Sequence, residues 1–210
     1  EMYIGDWSSD VCSSDLLIAC NTATAASVSK VRQLMNQYSM PIISIEPAIK
    51  PACALPGTGK VFMMATLATT RLNRYLALQA RMPDPSRVIN IPCPGIVERV
   101  EAGIFDDDAY DDLFDKYFAP YVGTEVDAIV LGCTHYPFIK GAFARNAKRY
   151  LRGNCALIDG SVGTVRQLER ILDMYKLKNP CGTGRVEFHT SGNEAVLKPI
   201  FEKLLKQDKI

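Results

Sequence analysis

The chain has 210 residues, of which 48% are hydrophobic and 22% charged, with a formal net charge of +1. That length can bury a sizeable core as one domain or two small ones, and the near-neutral balance points to neither nucleic acid nor a polyanionic partner. No apolar run approaches a membrane span, and no charged segment leads into a long apolar stretch, so no membrane partner and no export signal are expected, and the expected location is cytoplasmic.

The first sixteen residues stand apart. Asp6 to Leu16 reads DWSSDVCSSDL, repeats Ser-Ser-Asp, and has neither a helical nor a strand period. It resembles translated sequencing adapter. Residues 1–16 are therefore expected to be non-native, and Trp7 and Cys12 to carry no function. Leu17 to Ala19 then reads as a strand. Asn21 or Thr22 is placed to cap a helix from about Ala23 to Met35, since a short side-chain oxygen accepts from first-turn amides. Met40 to Ile45 is a second strand, with Pro41 at its start, where a missing donor costs least. Ala48 to Leu55 is a short helix expected to break at Pro51. Gly57 to Lys60 lacks the spacing of a phosphate loop and reads as a plain turn.

Lys60 to Ala65 is the next strand, with Thr66 and Thr69 in the turn after it and a helix over Thr70 to Arg81. A strand at Arg87 to Ile91 leads to the Pro92-Cys93-Pro94-Gly95 corner and a helix from Ile96 to Ala102 that carries Glu98 and Glu101. The acidic stretch Asp106 to Asp112 places favourable charge at the start of a helix over Tyr110 to Tyr121. Val126 to Val130 is a continuous apolar run, as in a buried strand. Leu131-Gly132-Cys133-Thr134-His135-Tyr136-Pro137 follows it and opens a helix running to Tyr150. A strand at Cys155 to Ile158, a helix at Val162 to Tyr175, a strand at Arg185 to Thr190 and a helix at Asn193 to Lys206 complete the chain. Strands alternating with helices imply an α/β fold with mainly parallel sheets flanked by helices.

Two corners share one pattern. Leu17-Ile18-Ala19-Cys20-Asn21-Thr22 and Val130-Leu131-Gly132-Cys133-Thr134-His135 each run from apolar strand to cysteine to small polar residues to helix. In open α/β sheets that edge binds ligands. The seven cysteines are dispersed without a C-x-x-C pair, and only two histidines exist, so reduced thiols are expected and a zinc site is not. Two thiols flanking one carbon can invert it: a thiolate takes the proton from one face while a thiol returns one to the other. A helix start lowers a cysteine pKa, which helps form that thiolate. His135 can donate to a carboxylate or move a proton. Asn21, Thr22, Thr134 and the exposed amides of both corners can grip carboxylates.

Ala19-Cys20-Asn21-Thr22-Ala23 together with Leu131 to Pro137 resembles the paired motifs of the glutamate racemases, in the cofactor-independent aspartate/glutamate racemase superfamily. Ala65-Thr66 with Thr69, Cys93-Pro94, Glu101-Ala102-Gly103 and Phe188 to Gly192 also fit, so the resemblance runs from Leu17 to the C-terminus. It implies two similar lobes with the active site between them. Residues 17–59 with 155–210 would form the first lobe and residues 60–154 the second. Cys20 would be the base for D-glutamate and Cys133 for L-glutamate. Asn21, Thr22, Thr134 and His135 would bind substrate, with Thr66, Thr69 and Glu101 as further positions. The resemblance implies no pyridoxal phosphate, no other cofactor and no metal, and a supply of D-glutamate for peptidoglycan; the sequence does not give the oligomeric state, and a homodimer is one possibility.

The chain departs from the family at its start. The Asp-Ser-Gly strand end and the Pro-Tyr-Gly segment are missing, so the first lobe is expected to be incomplete, with apolar surface exposed and little turnover from this chain. Three alternatives stand beside the racemase reading. One is an aspartate racemase or related two-cysteine isomerase, against which His135 weighs. Another is a non-catalytic binding protein, because some family members inhibit DNA gyrase. The last is a Cys-His hydrolase, which would need a third group to orient the histidine.

Overall fold

The computed structural model describes residues 15–38 and 40–206. The adapter-like segment, apart from Asp15 and Leu16, lies outside the described residues. Leu16 itself belongs to the first strand, β1 (Leu16–Ile18), one residue earlier than expected. β1 pairs in parallel with β2 (Ile42–Ser44), and helix α1 (Asn21–Met35) connects them. This two-stranded sheet is the centre of the first lobe.

The larger sheet has the order β4-β3-β5-β6, all parallel. Its strands are β3 (Lys60–Ala65), β4 (Val88–Pro92), β5 (Val126–Leu131) and β6 (Ala156–Asp159). Side chains alternate across a pleated sheet with period two. Val61, Met63 and Ala65 accordingly join Ala128 and Val130 on one face, against Ile49, Ala52 and Tyr75. Phe62 and Met64 join Ile129 and Leu131 on the other, under an aromatic layer that includes Phe114, Phe118 and Phe143. Phe114 meets Phe143 edge-on at 4.8 Å between ring centroids. Both faces of the central strands are covered, as a parallel sheet requires.

The second lobe is wider than residues 60–154. β6 hydrogen-bonds to β5 and so extends this sheet past position 154. Helix α2 (Ile49–Cys53) also packs here, through Ile49 and Ala52. α2 runs through Pro51 instead of breaking there, because proline falls in its first turn, where its missing amide has no intrahelical partner to lose. The helix expected over Thr70 to Arg81 is split into α3 (Leu67–Arg71) and α4 (Asn73–Gln79), with Leu72 extended between them (φ −74°, ψ 134°). Helices α5 (Ile96–Glu101), α6 (Asp111–Phe118) and α7 (Lys140–Tyr150) cover the aromatic face.

Helices α8 (Ser161–Met174) and α9 (Glu194–Leu205) bury no residue fully. Val162, Val165, Met174, Val196 and Leu205 are all more than half exposed. The strand expected at Arg185 to Thr190 is absent: these residues have no regular structure, and no described strand pairs with them. An alternating pattern forms a strand only where a neighbour supplies the ladder. Phe188 packs on Phe201 of α9 instead.

Candidate active site

Cys20 and Cys133 occupy the two expected corners, but each is held differently from the sequence expectation. Cys20 itself, not Asn21 or Thr22, is the N-cap of α1, and its Sγ accepts from the Ala23 amide at 3.5 Å. Asn21 becomes the first helical residue and is buried. Cys20 is exposed. Cys133 does not open an α-helix. A tight turn at Tyr136–Ile139 comes first and α7 begins only at Lys140. The thiol's local support is therefore the backbone N–H groups of His135 and Thr134. Gly132 makes the corner possible: a Cβ there would lie 2.9 Å from the Met64 carbonyl, which accepts the Gly132 amide at 2.8 Å.

Cys133 is only 8% exposed, and burial raises its pKa to about 11. The two backbone amides lower it, while charge on Cys20 and on Glu101 raises it further. The fold thus brings the two thiols within electrostatic reach of each other, from opposite lobes. Cys133 Sγ lies 3.5 Å from His135 Nδ1, and His135 Nε2 lies 3.2 Å from Glu101 Oε1. A carboxylate only accepts hydrogen bonds, so Nε2 carries the shared proton. In a neutral ring Nδ1 is then an acceptor facing the Cys133 thiol. Glu101, a lesser position in the sequence reading, is the group that orients this histidine.

Three hydroxyls meet between the lobes. Thr22 Oγ1 lies 3.1 Å from Thr66 Oγ1 and 2.9 Å from Thr69 Oγ1, and the last two are 3.0 Å apart. Thr66 is the N-cap of α3 and accepts from the Thr69 amide at 3.2 Å. Thr134 sits half-buried beside Cys133. Thr22, Thr66 and Thr69 thus form one group and Cys133, His135 and Glu101 another, with the charge of Cys20 felt at Cys133 and with Asn21 and Thr134 next to the two cysteines in the chain. The Phe188 to Gly192 stretch is not among them. His189 is exposed and pairs with Glu187. Sequence reasoning missed Glu46 and Arg74, which form an ion pair between the lobes. The only signal for Glu46 was its place at a strand end, and Arg74 looked like any surface helical arginine. Among the described residues, no group of three or more His, Cys, Asp or Glu is placed to hold a metal, and no helix is long and apolar enough to cross a membrane.

Parallel sheets carry a cysteine just past the ends of β1 and β5, the second in contact with a histidine, and residues 12–168 match the Asp/Glu/Hydantoin racemase family. The chain belongs to that family. Within it, the chain is 40% identical over 164 residues to the glutamate racemase of Clostridium acetobutylicum, covering 78% of this chain and 61% of that protein. It is 36% identical over 193 residues to the glutamate racemase of Clostridium kluyveri, covering 91% and 73% respectively. The structure of Thermus thermophilus glutamate racemase superimposes with a TM-score of 0.71 at 29% identity, over 92% of this chain and 69% of that one.

Proposed function

We propose that this chain carries the chemistry of a glutamate racemase: interconversion of L- and D-glutamate without a cofactor, by proton transfer between two thiols. The observation that carries the reading is the pair Cys20 and Cys133, set in opposite lobes at matching strand ends and electrostatically coupled. The Thermus thermophilus relative was solved with beta-chloro-D-alanine, a ligand of amino-acid shape, which suits a cleft of this kind.

In the D-to-L direction the Cys20 thiolate takes the proton from Cα, and the C–H electron pair stays on carbon. The Cys133 thiol then gives its proton to the opposite face. The two sulfurs end with exchanged protonation states, so the reverse turnover starts from the form just produced. Burial keeps Cys133 protonated at rest, ready to act as the acid. To act as a base on L-glutamate it must first lose that proton, and His135, held by Glu101, is the acceptor in contact with it. The α-hydrogen of an amino acid is very weakly acidic. A desolvated thiolate is a stronger base than a hydrated one, and fixed amides and hydroxyls at Thr22, Thr66, Thr69, Asn21 and Thr134 supply orientation and charge stabilisation for the carboxylates.

The D-glutamate would feed peptidoglycan synthesis in the cytoplasm, and the assembly would be a homodimer. Turnover by this chain is expected to be low, because the sheet behind Cys20 has only two described strands and α8, which packs on β2, buries no residue fully. The test is circular dichroism and α-proton exchange in deuterated water with both glutamate enantiomers and with aspartate. Glutamate should exchange, aspartate should not, and Cys20→Ser or Cys133→Ser should each stop racemisation. Undiminished exchange in both variants would refute the two-thiol mechanism.

A further inference from the structure

A small cavity lies between the lobes, behind the start of α1. Asn21 and Thr24 of α1, Glu46 and Pro47 at the end of β2, and Arg74 and Tyr75 of α4 line it. Its volume is about 20 Å³. That holds one water molecule and excludes an amino acid.

Three polar atoms of this lining are buried without a hydrogen-bond partner: Asn21 Oδ1, Thr24 Oγ1 and Arg74 Nε. Asn21 and Thr24 are 4% and 1% exposed. Burying such atoms unpaired is costly, and buried polar groups in native proteins are almost always satisfied. The three are chemically complementary. Arg74 Nε–H donates, Asn21 Oδ1 accepts, and the Thr24 hydroxyl does either. The Arg74 guanidinium is already tied to Glu46 through its Nη2 atom, which leaves Nε free to turn to the cavity.

We infer that this cavity is a binding site for one structural water, held by Asn21 Oδ1, Thr24 Oγ1 and Arg74 Nε, and that the water positions Asn21 for substrate. The role rests on the racemase reading; the site does not. Asn21 follows Cys20 directly. With Oδ1 engaged at the water, the amide end of the side chain that is left to act is Nδ2, a donor suited to a substrate carboxylate. Arg74 and Thr24 are thus positioning residues that act through Asn21, and Arg74 couples that position to the second lobe.

The test is a crystal structure of the full chain at about 1.5 Å, with Thr24→Val, Thr24→Ser and Arg74→Lys variants. The wild type should show one solvent peak within hydrogen-bonding distance of all three atoms. Thr24→Val and Arg74→Lys should lose it, with the Asn21 amide turned to another rotamer, and Thr24→Ser should keep both. In the racemase assay Thr24→Val should raise KM about fivefold, the scale of one hydrogen bond, with kcat within twofold; Thr24→Ser should restore KM. A wild-type map with no peak, a peak retained in Thr24→Val, or an Asn21 rotamer indifferent to all three variants would overturn the inference. If the wild-type chain neither binds nor turns over glutamate, the racemase reading falls, while the density and the rotamer still decide the water site.

Discussion

The two thiols should differ sharply in reactivity, and the difference can be measured without turnover. Cys20 is exposed, whereas Cys133 is 8% exposed with its pKa pushed up to about 11, first by burial and then by negative charge nearby. At pH 8 a group with that pKa is ionised in about one molecule in a thousand, against about one in four for a free thiol of pKa near 8.5. Ionisation alone therefore slows alkylation of Cys133 on the order of a hundredfold, since the thiolate is the nucleophile. Limited access slows it further, but access alone gives no pH slope. The assay is timed labelling with neutral iodoacetamide from pH 7 to 11.5, each modified cysteine assigned by peptide mass spectrometry. Cys133 labelling should rise about tenfold per pH unit across most of that range and level off only near pH 11. A Cys133 rate that levels off below pH 9, or that equals the Cys20 rate at pH 8, would refute the burial argument.

Three other outcomes follow from the same contacts. Glu101→Gln removes a charge that raises the Cys133 pKa and weakens the hold on His135; the Cys133 alkylation profile should move to lower pH while kcat/KM falls about tenfold, less than the roughly 100-fold or more of a direct acid or base, because Glu101 acts only through His135. Asp127→Ala strands Arg87, whose guanidinium bonds the Asp127 carboxylate at 2.7 Å with both side chains less than 20% exposed; urea unfolding should show a loss of about 3 kcal/mol. Alkaline stability should fall early. Burial holds Cys133 protonated up to about 11 and Tyr110 up to about 12, from ordinary values of 9.0 and 10.0. Both bind their protons more tightly folded than unfolded, so their contribution is full below about pH 9 and is lost as pH rises through 11 and 12, at about 1.4 kcal/mol per pH unit per group. The urea midpoint at pH 10.5 should lie well below that at pH 8, and an unchanged midpoint would contradict these burials.

The second lobe was legible because its strands are short apolar runs between turn signals, and Lys60–Ala65 and Val126–Leu131 fall almost where the periodicity puts them. The cysteine corners were legible for the same reason, since a strand end fixes where the next few residues point. What was not legible depends on contacts distant in sequence. Ala156–Asp159 looks the same whether it pairs with the first lobe or with β5, and only the pairing decides the boundary. Arg185 to Thr190 has the alternation of a strand, but no ladder reaches it. Gly57 and Gly59 read as an ordinary turn, and their positions show a further reason for glycine. A Cβ at Gly57, where φ is +130°, would sit 2.5 Å from the Asp127 carboxylate that the loop wraps. Glu101 lies 34 residues before His135 in the chain, and nothing local in either motif marks them as partners.

The unequal surroundings of the two cysteines constrain what kinetics can reveal. The enantiomers of glutamate have equal free energy, so kcat/KM must be the same in both directions at every pH. An exposed N-cap thiol and a buried one beside His135 therefore cannot produce a directional kcat/KM. Their inequality must appear in how kcat and KM separate, because each reflects the ground state that accumulates. In the proposed two-thiol mechanism, a Cys133 that is protonated at rest is the form that serves D-glutamate, while L-glutamate needs the proton moved off Cys133. The L-enantiomer thus meets a smaller fraction of competent enzyme, and a binding-competent fraction below one raises the apparent dissociation constant by its inverse. Equal kcat/KM then requires a proportionately larger kcat from the L side. The proposed mechanism would in this way convert the asymmetry of burial into an asymmetry of KM and kcat that cancels in their ratio.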